Sequence, residues 1–118
     1  RRQFGRPIAG FQLVQEKLAR MLGNATATLA LAVAITDARH NGGADEMQAA
    51  LVKGWAADHA RETVALAREI CGAEGIRVDN DVARFFADAE ALYTFEGTRE
   101  MNALIVGRAV TGLSAFTR

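Results

Sequence analysis

The chain has 118 residues, half of them apolar, so it is large enough to form one compact domain with a core of its own. Its 14 Lys and Arg residues balance its 14 Asp and Glu residues, a neutrality that disfavours nucleic acid or an anionic membrane as the partner. The single cysteine, Cys71, excludes an internal disulfide and a cysteine-rich zinc site, and we expect a reducing, cytoplasmic location.

The first half of the chain predicts two long antiparallel helices. Apolar residues recur every three or four positions, which places them on one face of the first helix: Phe11, Val14, Leu18, Met21, Ala25, Leu29, Ala32 and Ile35. Gly42-Gly43 ends this helix, and a second runs from about Asp45 to Ile70, where the run Gly72–Gly75 stops it. Within the first helix, the alanine-rich run is interrupted by threonines and ended by charges, which favours a core helix over a membrane span.

The second half predicts two shorter helices. The third is marked by Val82, Phe85, Phe86, Ala89, Leu92 and Tyr93, with Asn80 or Asp81 as its N-cap. The fourth is marked by Met101, Leu104, Ile105 and Ala109, with Thr98 as a cap and Glu100 at the positive end of the helix dipole. No strand alternation is visible, so the predicted fold is all-α, a four-helix up-down bundle.

The stretch TFEGTRE, residues 94–100, separates the third and fourth predicted helices. Gly97 and Thr98 explain it as a turn that ends one helix and starts the next. Alternatively, Glu96 is a carboxylate that is shielded from water beside Phe95 and acts as a general base. Spacing alone does not decide between these interpretations. His40 and His59 have no partner at ligand spacing, and no classical nucleotide-binding loop is present, so no metal site is predicted.

Three segments, in this order and spacing, resemble the C-terminal helical domain of the acyl-CoA dehydrogenase family over essentially the whole chain. They are RRQFGRPIAGFQLVQEKLA at the start, AREICGAEGI in the middle and LYTFEGTREMNALIVGRAVTG at the end. Glu69, where many members carry Gln, together with VAR before the third helix and GRAVTG after the fourth, is closer to the glutaryl-CoA dehydrogenase branch. Phe95 stands where that branch typically has Tyr, so no decarboxylation is predicted.

The resemblance implies a site. Glu96 matches the catalytic base, which removes the pro-R α-proton of an acyl-CoA thioester while FAD takes a hydride from the β-carbon, giving a trans-2-enoyl-CoA. Phe95 and Gly97, beside the base, are the implied substrate contacts. The implied FAD contacts are Arg1, on the pyrophosphate, Phe4, near the adenine, and Gln3, Glu69, Gly72, Ala73, Thr98 and Glu100. Ala73 replaces the second glycine of a usual pair, and Arg68 is expected to offset the charge of Glu69.

The resemblance also implies partners and a longer protein. Because the chain does not begin with Met and lacks the family's N-terminal helical domain and central β-barrel, we expect it, residues 1–118, to be one domain of a larger chain and to be inactive alone. The implied partners are acyl-CoA, an electron-transferring flavoprotein and further copies in a dimer of dimers, with apolar interface surface on the third and fourth helices. Two alternatives stay open: an acyl-CoA oxidase that uses O₂, and a non-catalytic helical assembly domain.

Overall fold

The structure, a computed structural model, describes residues 1–116. Within them lie four α-helices: α1 (Gln12–His40), α2 (Glu46–Cys71), α3 (Asp81–Thr94) and α4 (Arg99–Thr111). Two short 3₁₀ turns, Ile8–Gly10 and Gly72–Ile76, precede α1 and follow α2. The prediction of an all-α fold with four helices is confirmed.

The predicted helix starts are confirmed by their hydrogen bonds. Asp45 caps α2 in a reciprocal capping box with Gln48, with bonds of 2.8 and 3.1 Å. Of the two candidate caps for α3, Asn80 is the one used, since its side-chain oxygen accepts from the Val82 N–H at 3.0 Å. The Thr98 hydroxyl accepts from the Met101 N–H at 3.4 Å and begins α4.

Helix α2 is the centre of the fold and packs against the other three helices. Helices α1, α2 and α3 alternate in direction, as an up-down arrangement requires. However, α4 also runs antiparallel to α2: Arg99, at its start, contacts Asp58, whereas its later residues face the beginning of α2. Helices α3 and α4 therefore lie one after the other along α2, joined by the break at residues 95–98, and the molecule is elongated, 59 × 30 × 23 Å.

The face that α1 presents to α2 differs from the predicted face. Phe11, Val14, Met21 and Ile35 are half-buried as expected, but the other predicted members are exposed, namely Leu18, Ala25, Leu29 and Ala32. From residue 14 onward, half-buried positions recur every seven residues, at 14, 21, 28 and 35 and at 17, 24, 31 and 38, so several lie one position before the apolar residues that were expected to pack. As a result, polar residues such as Lys17 and Asn24 face α2, while leucines point outward.

Helix α1 is also long and apolar enough to cross a membrane: its most apolar 18 residues have a mean hydropathy of 1.5, and none of them is buried. The expectation that the alanine-rich run lies in the core of this chain is therefore wrong. The described residues bury only Ala50, Ala57, Leu66 and Ala89 as apolar core side chains, on α2 and α3. That no membrane is a partner stays a prediction.

Residues 1–8 form a feature that the sequence did not predict, a two-residue antiparallel hairpin of β1 (Arg2–Gln3) and β2 (Arg6–Pro7). Phe4 and Gly5 make its turn with φ values of 51° and 77°, as tight hairpin turns require. The Ile8 N–H donates to the Arg1 carbonyl at 3.0 Å and closes the segment. The hairpin holds the N-terminal residues against the start of α1, where Arg6 lies 4.1 Å from the centre of the Phe11 ring.

Candidate functional site

The break between α3 and α4 presents the Glu96 side chain. Helix α3 ends at Thr94, Phe95 is extended, and Glu96 and Gly97 follow with φ values of 57° and 82°. Within residues 1–116, only Phe4 and Glu96 are non-glycine residues with positive φ. Such a conformation is disfavoured for residues with a Cβ and must be held by its surroundings. The Glu96 side chain is exposed in this chain, and the Phe95 side chain beside it is 51% exposed.

Two side chains from different helices hold this break through the Gly97 carbonyl. Lys53, on α2, donates to the Gly97 carbonyl at 2.7 Å and to the Tyr93 carbonyl at 3.3 Å. Asn102, on α4, donates to the carbonyls of Gly97 and Thr98, both at 2.9 Å. Asn102 is the only buried polar residue among those described, with 7% exposure. The bonds fix the backbone immediately after Glu96.

A third contact joins the two helices across the break. The Tyr93 hydroxyl donates to the Glu100 carboxylate at 3.1 Å, and the Arg61 guanidinium lies over the Tyr93 ring at 4.1 Å. Hydrogen bonds from its own backbone N–H and from the side chains of Thr98 and Tyr93 lower the pKa of Glu100. Glu100 is therefore an ionised, hydrogen-bonded residue of the first turn of α4.

The other candidate residues lie together at the opposite end of α2. A cavity of about 520 Å³ separates the N-terminal hairpin from the end of α2. Six of the eight residues that the resemblance implied as FAD contacts line it: Arg1, Gln3, Phe4, Glu69, Gly72 and Ala73. Phe4 is 88% exposed. The remaining two, Thr98 and Glu100, lie at the break, so the structure divides the eight residues into two groups.

The charge of Glu69 is offset by Lys17, rather than mainly by Arg68 as expected. The Lys17 ammonium forms an ion pair with the Glu69 carboxylate across the α1–α2 interface. The hydrogen bond from Lys17 is the largest cause that lowers the pKa of Glu69, and the charge of Arg68 has a smaller effect in the same direction. Lys17 also lines the cavity, where the sequence had not placed it.

The turn after α2 brings its backbone close to the cavity. A Cβ built on Gly72 would lie 3.9 Å from the nearest Arg1 guanidinium nitrogen, so the Arg1 side chain reaches this turn. Gly75 is buried, and a Cβ there would lie 2.5 Å from the Arg68 carbonyl oxygen, too close for any side chain. The backbone of Gly75 therefore packs directly against the backbone of Arg68 in the last turn of α2.

The two groups are well separated. Lys53, which holds the break, and Gly72, which lines the cavity, are nineteen positions apart in the chain along α2, or about 28 Å at 1.5 Å per residue.

Sequence reasoning missed Lys17, Lys53 and Asn102. The pairing of Lys17 with Glu69 could have been predicted, because the two residues lie about equally far from the Gly42-Gly43 turn. An antiparallel helical hairpin places such residues opposite each other. Lys53 and Asn102 act on backbone carbonyls, which leave no pattern in the sequence.

Comparison with known proteins gives the family. Residues 1–111 match the model of the acyl-CoA dehydrogenase C-terminal domain. The chain is 35% identical over 110 residues to an acyl-CoA dehydrogenase from Bacillus subtilis, which covers 93% of this chain and 29% of that protein.

Two solved structures are also similar to this chain. A glutaryl-CoA dehydrogenase from Mycobacterium smegmatis superposes with a TM-score of 0.94 and 39% identity, over 99% of this chain and 30% of that one. A glutaryl-CoA dehydrogenase from the same organism in complex with FADH₂ gives a TM-score of 0.87 and 33% identity, over 99% and 30%. The chain thus spans less than a third of the length of each of these relatives. It belongs to the acyl-CoA dehydrogenase family and corresponds to the C-terminal helical domain of that family.

Proposed function

We propose that this chain supplies the catalytic base, Glu96, and part of the flavin-binding surface to an FAD-dependent enzyme that dehydrogenates an acyl-CoA thioester to a trans-2-enoyl-CoA. The single observation that carries the proposal is the break between α3 and α4. There a glutamate is held in a disfavoured backbone conformation, with its side chain exposed. A simple turn does not require a residue with a side chain in that conformation.

The chemistry of Glu96 follows from its position. Its carboxylate would accept the α-proton of the thioester, and the exposed ring of Phe95 beside it would contact the acyl chain and exclude water. Gly97 has no side chain, so a thioester can approach the backbone beside the base. Exposure of Glu96 in this chain fits the proposal, because substrate and the rest of the enzyme would cover it in the complete active site.

The residues around the cavity fit FAD. Arg1 offers a planar guanidinium for the pyrophosphate, Gln3 an amide, and Phe4 an exposed ring for the adenine end. Lys17 neutralises Glu69, so that carboxylate does not repel a phosphate-rich ligand. When bound, the flavin supplies the acceptor for the hydride that leaves the β-carbon.

The two groups of candidate residues lie about 28 Å apart along α2, and this separation supports binding of FAD at a subunit interface. In this arrangement the cavity residues contact the FAD held mainly by the neighbouring subunit, whereas Glu96, Thr98 and Glu100 act in the active site of their own subunit. We therefore propose that the functional protein is an oligomer, a dimer of dimers, and that residues 1–118 form the C-terminal domain of a longer chain. The proposed electron acceptor is an electron-transferring flavoprotein.

An anaerobic titration of the full-length enzyme tests this function. A panel of acyl-CoA thioesters is added while the visible absorbance of the flavin is followed for the native enzyme and for Glu96→Gln. The native flavin should bleach with at least one thioester. The variant should bind that thioester but bleach about 10² to 10⁴ times more slowly, as expected for loss of a general base.

The matched control is Asp37→Asn, an exposed carboxylate near the end of α1 and outside both groups of candidate residues, which should bleach like the native enzyme. Equal bleaching of the native enzyme and Glu96→Gln would contradict the role of Glu96, and would favour a turn in an assembly domain. Hydrogen peroxide formed at the rate of turnover in air would identify an oxidase.

A further inference from the structure

We propose that Lys53 and Asn102 are positioning residues for the catalytic base, because together they hold the peptide that follows Glu96 and thereby fix the direction of its carboxylate. This inference rests on the proposed function. Both side chains act through the Gly97 carbonyl.

Lys53 connects the break to the central helix. Its ammonium group donates at 2.7 Å to the Gly97 carbonyl and at 3.3 Å to the Tyr93 carbonyl in the last turn of α3. The end of a helix carries a partial negative charge on its unpaired carbonyls, which a nearby cation stabilises. A single side chain thus links α2, the end of α3 and the residue next to the base.

Asn102 connects the same carbonyl to α4. Its amide donates at 2.9 Å to the Gly97 carbonyl and at 2.9 Å to the Thr98 carbonyl, while its backbone N–H also donates to Thr98. The side chain is 7% exposed, and a Cβ added to Gly97 would lie 3.4 Å from its amide nitrogen. The donor side chain is therefore shielded from water, although the bonds themselves are part-buried, and the loop has little room to shift toward Asn102.

Helix capping alone does not account for the two side chains. Asn80 and Thr98 each cap a helix through one hydrogen bond, which is half-buried for Asn80 and exposed for Thr98. In each bond the side-chain oxygen accepts from a backbone N–H of the helix. In contrast, Lys53 and Asn102 approach one carbonyl from two helices, directly after two consecutive residues with positive φ. The first of these residues has a side chain, so its conformation has to be imposed by its neighbours.

The test uses the full-length enzyme and the thioester that bleaches its flavin fastest. The variants are Lys53→Met, which keeps the aliphatic stem, Asn102→Leu, which keeps the shape, and Lys53→Arg, which keeps a charged donor. Each of the first two should slow flavin reduction at saturating thioester about 10- to 100-fold, because small misplacement of a reacting group has effects of this size. The dissociation constant of the thioester should change little, and Lys53→Arg should recover most of the rate.

Two comparisons separate positioning from a loss of structure. Asn80→Ala removes a helix cap away from the break and should leave the rate of flavin reduction near native. In a Glu96→Gln background, adding Lys53→Met should change the remaining rate by no more than about twofold, because a residue that acts through the base has no effect once the base is gone.

The outcomes are distinct. The inference is wrong if Lys53→Met reduces its flavin as fast as Asn80→Ala, or slows reduction equally with and without the Glu96 carboxylate. If Asn102→Leu does not fold, Lys53→Met decides alone, since its half-buried stem is retained. If Glu96→Gln itself reduces flavin at the native rate, the proposed function fails, whichever result Lys53 gives.

Discussion

The two ends of α2 carry two kinds of surface. At the cavity, the predicted ligand contacts are exposed side chains: Arg1, Gln3 and Phe4 from the hairpin, with Glu69 and Ala73 from the end of α2 and the turn after it. At the break, the backbone around Glu96 is held by Lys53 and by the buried Asn102.

The difference fits the task that we propose for each end. Binding a large cofactor takes several contacts, each of which adds part of the affinity, and the cofactor itself orders the side chains when it binds. A general base has to stand at the correct place before the reaction begins, since proton transfer depends steeply on geometry. In this fold, hydrogen bonds to backbone carbonyls, more than the identity of exposed residues, mark where precision is required.

The largest effect on stability is expected at Gly75, in the turn after α2. An alanine Cβ there would lie 2.5 Å from the Arg68 carbonyl oxygen and 3.0 Å from the Arg68 Cα, so the turn would have to move away from α2. We expect Gly75→Ala to lower the free energy of unfolding by about 1 to 3 kcal/mol, the usual range for overpacking. Urea unfolding of the 118-residue chain, followed by circular dichroism, measures it.

The control is Gly107→Ala, in the interior of α4, where an added Cβ meets no atom within 4 Å. Alanine favours a helix interior over glycine by up to about 1 kcal/mol, so this variant should be as stable as the native chain or more so. If both variants were neutral, the close packing of the turn at the cavity would not be a constraint, and the contrast between the two ends would weaken.

Much of the fold could be predicted from the sequence, because helices leave local signals. Asp45 was recognisable as the start of α2, Thr98 as a cap, Asn80 as one of two candidate caps, and the Gly42-Gly43 pair as the end of α1, since each satisfies a local geometric need. The outward face of α1 was not predicted, because apolar residues surround that helix and periodicity cannot say which of two apolar stripes packs on α2. The N-terminal hairpin was missed because two-residue strands are too short to alternate.

The candidate site was predictable only where it has a motif. Glu96 and Gly97 stand in a recognisable run, and the resemblance supplied the cavity residues. Lys53 and Asn102 could not be predicted, since their partners are carbonyl groups that every residue possesses, and only the packing of α4 on α2 brings them together. Hence the motif indicates the proposed base, whereas only the structure indicates the side chains that we propose orient it.

A smaller effect is expected from Arg1 at the cavity. In the full-length enzyme, Arg1→Ala should weaken FAD retention by about tenfold, the size of one lost charged hydrogen bond, measured as the flavin-to-protein ratio after dialysis. Molecules that keep their FAD should reduce it with thioester at the native rate, because the base and its supports are intact.

Arg39→Ala is the matched control, an exposed arginine in the last turn of α1 at the far end of that helix, and should retain FAD like the native enzyme. A slower rate of flavin reduction in Arg1→Ala molecules that retain FAD would show that the two ends of α2 are coupled, contrary to the division of tasks drawn above.

The smallest expected effect is the dependence of stability on pH and salt. It distinguishes the two ends of α2, because an ion pair acts at the cavity and hydrogen bonds act at the break. The pKa of Glu69, at the cavity, and that of Glu100, at the break, are both lowered from the ordinary value of 4.5. A lowered pKa in the folded state means that stability is complete above about 4.5 and is lost as pH falls through the lowered values. The urea midpoint of the 118-residue chain should therefore fall progressively from about pH 5 toward pH 3.

Replacing Glu69 or Glu100 with Gln should make the urea midpoint depend less on pH. Added salt should distinguish the two replacements. Lys17 and Glu69 form an exposed ion pair, which added salt screens, whereas Glu100 is held chiefly by hydrogen bonds from its own N–H and from the side chains of Thr98 and Tyr93. At 1 M NaCl the Debye length falls to about 3 Å, from about 8 to 10 Å at ordinary ionic strength, so Glu69→Gln should become indistinguishable from the native chain at pH 7, and Glu100→Gln should remain less stable. If salt abolished both differences equally, the break would depend on surface charge as the cavity does, and the precision attributed to it would have to come from Lys53 and Asn102 alone.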